Sequence, residues 1–147
     1  MTVPRFIEMW IIKTIILLTL LLYASVMDIK TREVPNSLSG MLLILGLVDK
    51  DIDQLPSMII GALLVFLPQF VSALINPSKA LGGADIKISS SAAFLLGAPR
   101  GLFAFILGLM VAVVTVPVIR KLRKLPKDQP FPLIPFLSIG IVAGYFI

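Results

Sequence analysis

The 147-residue chain is 58% hydrophobic with a mean hydropathy of +1.03, which excludes a soluble globular or disordered class and points to a single compact membrane-embedded domain, 1–147. Its net charge of +5, from 13 Lys and Arg against 8 Asp and Glu, bears on which loops face the cytoplasm rather than on nucleic acid. The chain has neither Cys nor His. Disulfides, thiolate zinc sites, thiol nucleophiles, Ser–His dyads and His-Glu metalloprotease helices are therefore excluded by inventory, and hydrolytic chemistry must rest on carboxylates, Lys, Tyr or Ser.

The first apolar run, about residues 6–27, is long enough to cross a hydrocarbon core that needs roughly 20 helical residues. Met1-Thr2-Val3-Pro4-Arg5 has no clear small-residue cleavage site, so the run is expected to be retained. Glu8 is expected at the interface; Lys13 lies deeper and is expected to snorkel or to find a partner inside the bundle. The polar stretch Asp28-Ile29-Lys30-Thr31-Arg32-Glu33-Val34-Pro35-Asn36 follows, with Pro35 disfavouring helix at Val34 and Asn36 or Ser37 free to cap the next helix, about 37–48. Asp49, Asp51 and Asp53 alternate as in the start of an EF-hand loop. The sixth position is Gln54 rather than Gly and the twelfth is Ile60 rather than Glu, so this is a solvated turn and no metal site is expected. Further helices are predicted over about 57–75, 86–96, 102–119 and 130–147. The fold class is all-α: a bundle of about six transmembrane helices, those at 37–48 and 86–96 being short for full spans.

If the loops after the first, third and fifth helices share a side, that side holds Lys30, Arg32, Lys79, Lys87, Arg120, Lys121, Arg123, Lys124 and Lys127. The other side holds Arg5, Lys50 and Arg100. The positive-inside rule then puts the first set in the cytoplasm and both termini outside. Asp28 ends an inward helix and Asp85 begins an outward one, so the two carboxylates are expected at one cytoplasmic plane.

Two carboxylates within reach of each other share a proton, so one serves as general base on water while the other donates a proton. That suffices for peptide hydrolysis without metal, cofactor, thiol or imidazole. In Leu81-Gly82-Gly83-Ala84-Asp85-Ile86-Lys87 the paired glycines permit close backbone approach, and an extended substrate can lie beside Asp85. The plainer reading is a turn with Asp85 or Ser78 capping a helix. Asp-Ile-Lys occurs at both sites; Lys30 and Lys87 are expected to reach lipid phosphates and can bias the neighbouring carboxylates toward ionisation. With Gly82, Gly83 and Ala84 they make up the candidate substrate-binding set. Ser89-Ser90-Ser91 with Lys87 or Lys13 raises a Ser–Lys hydrolase, but such a lysine must be desolvated and Asp85 stands beside Lys87. Residues 120–127 form a basic loop, read as a topology signal that can also attract anionic lipid.

Three patches carry a family resemblance. Asp28-Ile29-Lys30-Thr31-Arg32-Glu33-Val34-Pro35-Asn36 resembles the first aspartate motif of the type IV prepilin peptidases, membrane aspartyl proteases with a Gly-x-Gly-Asp signature. Gly82-Gly83-Ala84-Asp85-Ile86-Lys87 resembles the second, with Ala84 in place of the second signature glycine, and Pro132-Leu133-Ile134-Pro135-Phe136-Leu137 is similar to a late Pro-Phe-Gly-Pro-Phe-Leu patch. The chain is most similar to short forms without the Cys-rich methyltransferase domain. The resemblance implies Asp28 and Asp85 as the catalytic pair, the loop Gly82–Ala84 as substrate-positioning, and no cofactor. It implies removal of a short basic leader from prepilin-like precursors, after a Gly, at the cytoplasmic face of the cell membrane. Alternatives are a preflagellin peptidase with the same chemistry on archaellin-like precursors, a non-enzymatic assembly factor or transporter subunit, and a presenilin-like protease, whose aspartates would lie inside the spans.

Overall fold

The computed structural model describes residues 4–78 and 81–147. Lys79, counted above among the cytoplasmic basic residues, and residues 1–3, read above for a cleavage site, lie outside them. The chain is all-helical: α1 (Arg5–Lys30), α2 (Asn36–Leu47), a 3-10 turn (Ile52–Gln54), α3 (Leu55–Ile75), α4 (Gly83–Leu96), α5 (Ala98–Arg123) and α6 (Ile134–Phe146). Among the described residues, three helical stretches are long and apolar enough to cross a bilayer: Arg5–Lys30, Ile52–Ile75 and Ala98–Arg123. This makes the protein a multi-pass membrane protein. At 12, 14 and 13 residues, α2, α4 and α6 fall short of the roughly 20 that a perpendicular crossing requires.

The short helix α4 occupies the centre. It packs against α2, α3, α5 and α6, and eight of its residues are buried, from Ile86 to Leu96. The side chains there are small (Ser89, Ser91, Ala92 and Ala93), so neighbouring backbones come close. A Cβ on Gly101 of α5 would stand 2.7 Å from Cα of Ala93, and one on Gly61 of α3 would stand 2.8 Å from its carbonyl. The long helices bury few residues each and turn the rest outward: Ile15, Leu22, Leu67, Val113 and Val114 are all exposed. In water that exposure would be costly; in lipid it is the solvated face.

Two interior polar contacts fix relative heights. Gln69 of α3, one residue beyond Pro68, donates to Val65 O (2.7 Å) and to Ser89 Oγ of α4 (3.0 Å). Lys13 is buried on α1, and its Nζ donates to Val48 O at the C-terminal end of α2 (2.8 Å). A cation at that end meets the negative pole of the helix and an otherwise orphaned carbonyl. This is the intrabundle partner expected for Lys13.

Helix starts differ from the sequence expectation at α4, α5 and α6; α5 begins at Ala98 rather than 102, with Pro99 accommodated in its first turn. α4 begins at Gly83, three residues before the expected Ile86, because the Ile86 amide already donates to Gly82 O (3.2 Å) and closes a first turn across the glycines. α6 begins at Ile134 rather than 130, with 130–133 left irregular around Pro130 and Pro132.

Candidate active site

Asp28 lies in the last turn of α1, where the helix closes through Thr31 N–H to Met27 O (2.8 Å) and Arg32 N–H to Asp28 O (3.1 Å). Arg32 takes a left-handed conformation, φ 56°, and turns the chain away. The Asp28 side chain points inward and is only 7% exposed. Its Oδ2 accepts the Ile134 amide at 3.0 Å, so a carboxylate from the first helix sits on the N-terminal end of the last. Free amides and the helix dipole both favour negative charge there.

Asp85 enters from the opposite wall, in the first turn of α4 at its polar end. Burial pushes its carboxyl up to about 7, the negative charge of Asp28 adds to this, and the Gly82 amide opposes it. Oδ1 of Asp85 is buried with no hydrogen-bond partner among the described residues. A carboxyl so placed is best satisfied by holding a proton or by meeting something that enters the cleft.

Both carboxyls open into one cavity of about 670 Å³. Its walls are Arg32 after α1, Ser78, Leu81 and Gly82 before α4, and the stretch from Lys127 to Leu133 before α6. Of the candidate substrate-binding residues, Gly82 borders this cavity. A Cβ on Gly82 would stand 3.1 Å from Asp85 Oδ2, so the glycine keeps the backbone close to the carboxyl. Gly83 is exposed with open space around its Cα, and Ala84 packs toward the hydrophobic core. Lys87 donates to Asn36 Oδ1 at 2.8 Å, tying α4 to the start of α2, and Lys30 is exposed at the end of α1. Lys13 and Lys87 thus bond elsewhere, and Ser89 bonds to Gln69 and to Ile86 O, so no Ser–Lys pair forms among the described residues.

The wall at 127–133 was not singled out as site-forming by sequence reasoning. The basic loop marked topology, and the Pro132–Leu137 patch entered by resemblance alone. The available signal was the pair Pro130 and Pro132, which rules out regular helix just where the chain must lie against the cavity.

No curated protein and no solved structure gave a match to the chain. A family model does match, over residues 15–117, a stretch that contains both Asp28 and Asp85 and ends before the 127–133 wall. On that match over more than half of its length, the chain belongs to the type IV leader peptidase family.

Proposed function

We propose that the protein is a membrane aspartic endopeptidase that removes the short basic leader of type IV prepilin-like precursors at the cytoplasmic face of the cell membrane. The observation that carries this reading is the convergence of Asp28 and Asp85, 57 residues apart in sequence, on one cavity. Their surroundings differ in what each carboxyl touches. Asp28 rests on the α6 amide end and suits the ionised role, general base on the attacking water. Asp85, pushed up to about 7, suits the protonated role, donating to the scissile carbonyl oxygen or the leaving amine. Gly82 leaves room for an extended peptide beside Asp85. The cytoplasmic orientation follows from the lysine and arginine asymmetry.

The test is cleavage of a prepilin-type substrate by membranes carrying wild type, Asp28→Asn or Asp85→Asn. Asparagine keeps the shape but exchanges no proton, so each variant is expected to lose at least about 100-fold in rate while remaining folded. Retained cleavage by both variants would discard the dyad. A wild type that cuts neither prepilin-like nor archaellin-like leaders would favour the assembly-factor reading.

A further inference from the structure

Arg120, in the last turn of α5, lies beyond the residues that match the family, yet it borders the cavity that holds both aspartates. Among the described residues its guanidinium makes three contacts, all with the irregular wall, and its buried Nε has no partner. Nη1 donates to Lys127 O, Nη2 donates to Gln129 O at 2.7 Å, and Cζ stands 5.9 Å from the centre of the Phe131 ring. Phe131 in turn stacks on Phe136 of α6, centroids 6.0 Å apart and planes at 29°. Two residues on from Phe131, Leu133 lines the cavity, and the next amide, that of Ile134, is the donor to Asp28. A continuous path of contacts therefore runs from α5 through the wall and α6 to one carboxylate of the pair.

The wall has few other ties. Leu133 O is anchored to α6 by the Phe136 and Leu137 amides (3.0 and 3.1 Å), but ahead of it the backbone makes only local turns, Lys124 N–H to Lys121 O (3.4 Å), Leu125 N–H to Arg120 O (3.0 Å) and Gln129 N–H to Pro126 O (3.4 Å), among the described residues. Proline at 126, 130 and 132 removes three donors. A planar fork that serves two carbonyls and stacks on an aromatic ring supplies what the backbone cannot, and a lysine ammonium has neither the second prong nor the plane.

We propose that Arg120 is a positioning residue for the aspartyl site: it braces 127–131 so that the Ile134 amide stays on Asp28 and the cavity keeps its shape. This rests on the proposed peptidase reading for its activity arm. The role is one of geometry, not of attracting substrate by charge, and the two are separable.

The experiment compares wild type, Arg120→Lys, Arg120→Ala and Phe131→Leu in the full chain in membranes, with kcat and KM measured on one prepilin-type substrate. Arg120→Lys keeps the charge but is expected to lower kcat by about 10-fold or more with KM nearly unchanged, as displacement of a catalytic group by a fraction of an ångström does. Millimolar methylguanidinium is expected to restore part of the Arg120→Ala rate and none of the Arg120→Lys rate. Phe131→Leu, which leaves both carbonyl bonds in place, is expected to lower kcat by a smaller factor, and it decides the matter if the arginine variants fail to fold. Wild-type kcat in Arg120→Lys, or a change confined to KM, overturns the proposal. Hydrogen exchange of the amides in 127–134 is read on the same samples. Faster exchange in Arg120→Lys supports the brace and unchanged exchange overturns it, so a wild type that cuts nothing sinks the reaction reading without deciding this one.

Discussion

The two aspartates are chemically identical and differ only in what surrounds them. Asp28 holds an amide hydrogen bond on a helix end, whereas Asp85 has one buried oxygen without a partner among the described residues. The pH dependence follows with a definite sign. In the unfolded chain the Asp85 carboxyl loses its proton near 3.8, and in the folded chain near 7. Between those values the folded state keeps a proton that the unfolded state has released. The stability contributed by protonated Asp85 is therefore complete below 3.8 and is lost as pH rises through about 7. Asp85→Asn removes this dependence, so thermal unfolding in detergent should show the variant gaining on wild type as pH rises from 5 to 8. If Asp85 is the proton donor, the rate of leader cleavage falls over the same range, with an alkaline limb near pH 7 that belongs to the pair rather than to one residue. A flat profile from pH 5 to 8 would contradict the assignment.

The helices are held at fixed heights by a few contacts that can be removed singly. Lys13 lies on α1 roughly 22 Å from Asp28, 15 residues at 1.5 Å each, and ties α1 to the end of α2. Lys13→Met leaves the Val48 carbonyl without its donor but also removes a desolvated charge. We expect a net loss of about 1 kcal/mol in stability and cleavage within about 2-fold of wild type. Abolished cleavage in a folded Lys13→Met would restore the lysine as a chemical participant. Packing of α5 on α6 is more demanding. A Cβ on Gly140 would fall well inside contact distance of Ala104 O and 2.6 Å from Gly108 N, backbone atoms that cannot rotate aside. Gly140→Ala must push α6 away from α5, at a cost of about 3 kcal/mol, and should lower both unfolding temperature and yield. Because α6 carries the Ile134 amide, activity should fall further than the folded fraction does.

For the molecule as a whole, the orientation rests on charge asymmetry and is open to direct measurement. The chain has no cysteine, so single substitutions give a clean background. Lys124→Cys should react with an impermeant thiol reagent only from the cytoplasmic side and Asp53→Cys only from the other; the reverse pattern would turn the site outward. Much of this architecture was legible in the sequence. Apolar runs of spanning length marked α1, α3 and α5, and a carboxylate at the edge of an apolar segment, beside paired glycines in the second case, singled out Asp28 and Asp85. Other parts were hidden for physical reasons. The start of α4 rests on a backbone bond from the Ile86 amide to Gly82 O, formed across adjacent glycines that the sequence marks as a turn. The third wall of the cavity depends on a guanidinium grasping carbonyls seven and nine residues away, and backbone carbonyls leave no mark on residue type. The hydrogen bond between Asp28 and Ile134 joins residues 106 apart, beyond the reach of any local pattern.

That last bond also sets an order of events during biosynthesis. Both acids emerge from the ribosome well before the segment that supplies the amide, so a nascent chain halted before Ile134 carries the reactive groups without the scaffold that distinguishes them. On the proposed reading the protein is in this sense born latent, and competence arrives only with α6.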